Sequence, residues 1–126
     1  MMQLILYANI TEDPFTMLPQ QLLELQNDHV RVFDFDTRSG KEVIHTVLTA
    51  MEQATSIVLV LDVTSENEEC SALFPVLKRA VRLKGHTKVI RLGSHPQLSF
   101  IQNQLTPVVL MNHEKLFKYL NEISSR

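Results

Sequence analysis

The sequence predicts an α/β fold, a three-layer αβα sandwich on a five-stranded parallel sheet in the order 2-1-3-4-5. Three observations lead there. Strand-like runs at "QLILYAN", "HVRVFDF", "SIVLVLDV", "TKVIRLG" and "TPVVLM" alternate with amphipathic stretches along all 126 residues. Each return to a parallel neighbour needs a crossover, and right-handed helical crossovers cover both faces of the sheet. The strands also differ in polarity. "SIVLVLDV" is uniformly apolar and belongs at the centre, whereas Arg31 and Asp34 in "HVRVFDF" and Pro107 in "TPVVLM" mark edges.

Each element has its own signals. After the first strand, Asp13 is placed to cap a helix with Pro14 in its first turn, and Pro19 then sets the start near Leu18 or bends the helix. The second helix shows Val43, Ile44, Val47, Leu48 and Met51 at the 3.6-residue period, and Ser39 with Glu42 forms an S-x-x-E capping box before it. Pro75 starts the third helix near Ala72 and leaves Thr64 to Cys70 as a loop, the favoured reading over an earlier start capped by Ser65 and Glu68. Its buried face is read as Leu73, Leu77, Ala80 and Val81. In "GSHPQ", Ser94 is the cap of a short fourth helix, with Gln97 at its third position. Asn112 caps the last helix, whose Leu116, Phe117, Leu120 and Ile123 share one face. This order of elements is that of the flavodoxin-like fold.

The bulk numbers fit one domain spanning residues 1–126, with 44% hydrophobic and 21% charged residues. Apolar runs stop well short of the roughly 20 residues a membrane span needs, and no signal-peptide pattern opens the chain. A cytoplasmic protein with no membrane association is the expectation. Cys70 is the single cysteine, which suits a reducing compartment and provides no cysteine metal cluster. Charge is uneven: residues 1–69 hold twelve acids against three bases, a net −9, and residues 70–126 hold nine bases against two acids, a net +7. Lys78, Arg79 and Arg82 fall on one exposed helix surface, either solvated or able to meet an acidic protein or a second copy. Nucleic acid is not the expected partner, because the basic stretch has no aromatic residue for base stacking and the chain as a whole is acidic.

In open parallel sheets, ligands bind beyond the carboxyl ends of the strands where the strand order reverses, here between the first and third strands. That rim collects Asn9, Glu12 and Asp13 after the first strand, Asp34 and Asp36 after the second, Asp62 and Thr64 after the third, Ser94 after the fourth, and Asn112 with His113 after the fifth. Carboxylates beside helix N-termini are the parts of a phosphate or metal site. The same residue types also build caps and turns whatever a protein does. There is no G-x-x-x-x-G-K-[ST] or G-x-G-x-x-G motif, and the five histidines show no metal-ligand spacing, so no metal site and no cofactor are expected. Magnesium enters only if the Asp62 rim is functional.

In length, order of elements and the segment "EVIHTVLTAMEQ…SIVLVLD", the chain resembles a response-regulator receiver domain. The resemblance makes Asp62 the counterpart of the phosphoacceptor and Ser94 that of the switch residue. Where receivers carry a magnesium-binding acidic pair this chain has Ala8 and Asn9, and Met111 or Asn112 stands where they carry a lysine. It is therefore similar to a pseudo-receiver. A shorter resemblance, over "VFDFDTRSGKEVIHTVLTAMEQATSIVLVLD", is to Toll/interleukin-receptor (TIR) domains, and Leu73 occupies the region of their NAD-cleaving glutamate.

The expected function is a non-catalytic regulatory or protein-interaction module of receiver-like fold. The enzyme alternative is a small nucleotide- or phosphate-handling hydrolase using Asp62 and its neighbouring carboxylates. A third reading makes one face part of a homo-oligomer or larger assembly.

Overall fold

A computed structural model describes residues 2–11, 20–105, 107–110 and 112–124. Five strands, β1 (Gln3–Ile10), β2 (Val30–Asp36), β3 (Ser56–Val63), β4 (Thr87–Leu92) and β5 (Val108–Leu110), form one sheet in the order β2-β1-β3-β4-β5. All four pairings are parallel. This is the flavodoxin-like α/β arrangement, and the edge marks act as expected. Arg31 on β2 is exposed and stacks over Phe33 at 5.3 Å, and Val109 on β5 is 55% exposed.

The helices are α1 (Gln20–Leu23), α2 (Lys41–Gln53), α3 (Phe74–Arg82), α4 (Ser99–Leu105) and α5 (His113–Ser124). Because successive strand residues point to opposite faces, β1 supplies two cores. Leu4, Leu6, Ala8 and Ile10 join Leu59 and Leu61 beneath Ile44, Val47 and Met51 of α2, Val76, Leu77 and Ala80 of α3, and Ile101 of α4. Ile5 and Tyr7 join Val58, Val60 and Ile90 beneath Leu22 of α1 and Leu116 and Leu120 of α5. Every residue of β1 from Leu4 to Ile10 is buried, as a central parallel strand requires.

Local details depart from the sequence expectation where a nearby group competes. Helix α2 begins at Lys41 with Gly40 at its cap and no side-chain cap bond. Ser39 instead turns back on Asp36: its hydroxyl accepts from the Asp36 amide at 3.0 Å and donates to Asp36 Oδ1 at 3.3 Å. Val43 is 43% exposed, so Ile44, Val47 and Met51 carry the buried stripe. On α3 the buried residues are Val76, Leu77 and Ala80, and Val81 is only half-buried. A 3-10 turn, Ser71–Leu73, leads into α3 with Pro75 in the first turn, and Thr64 to Cys70 is a loop as expected. The expected caps and bend around Asp13, Pro14 and Pro19 lie outside the described residues.

Gly93 ends β4 with φ +79°, and a Cβ there would collide with the Val63 carbonyl oxygen. The carboxyl ends of β3 and β4 approach this closely only because residue 93 has no side chain. Gly93→Ala should destabilise the protein by roughly 2–4 kcal/mol, from the left-handed backbone and the clash together. Urea unfolding would show this as a lowered midpoint with an unchanged slope, and a variant as stable as the wild type would contradict the close approach.

Candidate functional site

The strands deliver their carboxyl-terminal residues to one rim, and the register decides which side chains meet. Asn9 of β1 lies opposite Asp36 of β2 on one side and Asp62 of β3 on the other. Asn9 and Asp62 are each 6% exposed, on the face covered by α1 and α5. One step deeper on the same face, Tyr7 is 1% exposed and donates its hydroxyl to Asp62 Oδ2. From the first residue of α5, His113 brings Nε2 to 2.7 Å from the same oxygen. A carboxylate oxygen accepts, so His113 carries a proton on Nε2.

Two donors thus converge on one oxygen of a buried carboxylate. Tyr7 is a core residue of the sheet, whereas the His113 side chain is half-exposed and lies near Phe117, ring centroids 6.2 Å apart. Burial above all, and then the hydrogen bond to Asp62 and its negative charge, raise the Tyr7 phenol far above its ordinary range. Asp62 Oδ1 is buried and has no hydrogen-bond partner among the described residues.

The other rim residues serve backbone ends. Thr64 extends the β1–β3 ladder, its amide 2.9 Å and its hydroxyl 3.4 Å from the Ile10 carbonyl. Asp36 accepts the Arg38 amide at 2.9 Å in the turn before α2. Asp34 is exposed on the edge strand, paired in register with Tyr7. Asn112 caps α5 as expected, accepting the Lys115 amide at 2.9 Å. Ser94 is exposed, and the cap expected of it falls to His95, whose Nδ1 accepts the Gln97 amide. Asp13 and Glu12 lie outside the described residues. Among those described, no group of three or more His, Cys, Asp or Glu side chains is placed to hold a metal.

Away from the rim, Arg79 and Arg82 of α3 both donate to Glu52 Oε1 of α2. They fasten the two helices together, and Lys78 beside them is exposed. Cys70 is fully buried, and its thiol is pushed up to about 11 by burial first and then by Glu69 and Glu68.

The Asp62 centre makes two measurable demands. Tyr7→Phe should cost about 1.5–3 kcal/mol, since it removes a bond to a charged acceptor inside the protein. His113→Ala should cost less, about 1 kcal/mol, because the His113 side chain is half-exposed and water can take its place at Asp62 Oδ2. In a Tyr119→Phe background Tyr7 is the only tyrosine left. Its folded-state pKa lies above the unfolded value, so its contribution is intact below about pH 10 and is lost as pH rises further. Tyrosinate absorbance should therefore appear only as that variant unfolds, and an ordinary titration curve in the folded state would refute the arrangement.

No protein-family model matches this sequence, and no curated protein matches it either.

Proposed function

We propose that the chain is a non-catalytic regulatory or protein-interaction module of receiver-like fold, working in the cytoplasm without a cofactor. The observation that carries this reading is the engagement of Asp62. Its Oδ2 accepts from Tyr7 in the core and lies within hydrogen-bond reach of His113 on α5, so the residue resembling a phosphoacceptor fastens a helix to the sheet. Phosphoryl transfer asks for an accessible carboxylate oxygen with cationic stabilisation beside it. Asp62 is 6% exposed, and Asn9 stands beside it where a receiver has an acid. A lone buried cysteine also suits a reducing compartment, and none of the described helices is long and apolar enough to cross a membrane.

The working surface in this reading is external. Lys78 and Arg82 on α3 are exposed and Arg79 is half-buried, and the two arginines are drawn toward Glu52. An acidic protein surface, including the acidic half of a second copy, complements such a face, and nucleic acid does not suit an acidic chain. One observation favours the alternative, a phosphate- or nucleotide-handling hydrolase: Asp62 Oδ1 is buried with an unused lone pair among the described residues, the acceptor that a ligand hydroxyl or a magnesium ion would use.

Incubation with acetyl phosphate and magnesium separates the two readings. Intact mass should show no added phosphoryl group, and stoichiometric labelling that Asp62→Asn abolishes would replace the module reading with the alternative. The interaction face is tested by Lys78→Glu, since reversing Arg79 or Arg82 would also break the α2–α3 fastening. Exposed charges are screened beyond about 8 Å at physiological ionic strength. Sedimentation should therefore show a mass that falls with added salt and with Lys78→Glu, whereas a mass indifferent to both would mean that this face is only solvated.

A further inference from the structure

His95 closes the loop that follows Asp62. It lies in the turn between β4 and α4, is 6% exposed, and uses both ring nitrogens on main-chain groups. Nε2 lies 2.5 Å from the Glu68 carbonyl oxygen, and Nδ1 lies 3.1 Å from the Gln97 amide nitrogen. A carbonyl only accepts and an amide N–H only donates, so the ring holds its proton on Nε2 and keeps a bare lone pair at Nδ1. Gln97 completes the grip: its Oε1 accepts the Cys70 amide at 2.8 Å and its Nε2 donates to Glu69 Oε1 at 3.0 Å. Two residues of one turn thereby hold Glu68, Glu69 and Cys70 of the β3–α3 loop. On the loop's other side, Glu68 Oε1 accepts from the Thr37 hydroxyl at 2.6 Å and pairs with Arg38 at 3.3 Å.

We propose that His95 is a proton-operated latch on the β3–α3 loop: the neutral ring holds the loop closed, and a second proton at Nδ1 releases it. That proton, taken from solvent, would set an N–H of the ring against the N–H of Gln97, so the turn loses its cap and the grip on residues 68–70 with it. Among the described residues, the charged and titratable groups facing the ring are Glu68, Glu69 and Cys70 from the loop, with Arg38 beyond Glu68. Glu69 is held below the usual carboxylate range chiefly by the Gln97 amide and then by Ser71. Both carboxylates are already bonded inside the closed loop and offer Nδ1 no acceptor, so the open loop binds the second proton more tightly than the closed one. Acid therefore favours the open loop, in which the doubly protonated ring reaches water.

Cys70 is a built-in reporter, because it is the chain's single cysteine and is fully buried in the closed loop. Its rate of reaction with dithiodipyridine would be followed from about pH 8 to about pH 5, the range in which free imidazole takes its proton. Dividing by the rate for the unfolded chain at the same pH removes the thiol's own titration. Protection in the wild type should fall by about tenfold or more across this range, following the binding of one proton. His95→Asn keeps an acceptor near the Nδ1 position and cannot titrate, so its protection should not change with pH. Flat protection in the wild type, or the same fall in His95→Asn, would overturn the proposal. A second measurement needs no variant: long-range proton–nitrogen correlations of the His95 ring should show the Nε2–H tautomer at the alkaline end, and the Nδ1–H tautomer would overturn the proposal equally.

Discussion

The central strands β1 and β3 are covered by helices on both faces, and this constraint shapes everything at the rim. Between Leu4 and Ala8, and between Ile57 and Leu61, each side chain enters one of two cores, and the one polar group among them is the Tyr7 hydroxyl. The first positions where a polar side chain follows are Asn9 and Asp62, paired in register and still nearly out of water. A carboxylate taken out of water there is costly unless donors meet it inside the protein. Tyr7 supplies one from the next strand and one step down the same face, and His113 supplies the other from the helix that covers that face. The polar end of the sheet is thereby fastened to α5, which links the last element of the chain to its first strand.

The same pressure is met elsewhere along the rim by short local bonds. Thr64 continues the ladder onto Ile10, Asp36 and Ser39 hold each other before α2, and Asn112 caps α5. A ligand reaching these described rim groups would have to replace bonds the chain already makes to itself. The described surface is by contrast open around α2 and α3, where a cavity of about 410 Å³ is lined by Lys41, Ile44, His45, Leu48, Ala72 and Pro75. The charge bias between the halves of the chain is partly spent internally here, because Glu52 of the acidic half binds Arg79 and Arg82 of the basic half.

What was legible in the sequence follows from the range of each interaction. Sheet order could be read because Arg31, Asp34 and Pro107 are intolerable at a doubly covered centre, and the start of α3 because Pro75 fits only a first turn. Asp62 could be placed at the rim because it ends an apolar run. His113 could be placed on the same rim, but neither its contact with Asp62 nor that of Tyr7 could be read. Tyr7 lies within an apolar strand and reads as core, and His113 reads as a turn histidine; they lie 55 and 51 residues from Asp62, and only the register and the position of α5 bring them together. The S-x-x-E pattern at Ser39 failed for the opposite reason, since Asp36, three residues earlier, competes for the hydroxyl. Helical spacing grouped Arg79 with Arg82 but carried no information about Glu52 on the neighbouring helix.

His113 and His95 show why residue type alone does not set what an imidazole does in the fold. His113 faces a carboxylate, an acceptor for the proton its Nε2 carries. His95 faces one acceptor and one donor, and its second proton meets the donor. The two rings stand on opposite sides of the end of β3, one holding α5 through Asp62 and the other holding the loop that begins two residues later. The end of β3 thus divides a layer fastened through Asp62 on the α5 side from the loop that the proposed latch releases on the α3 side.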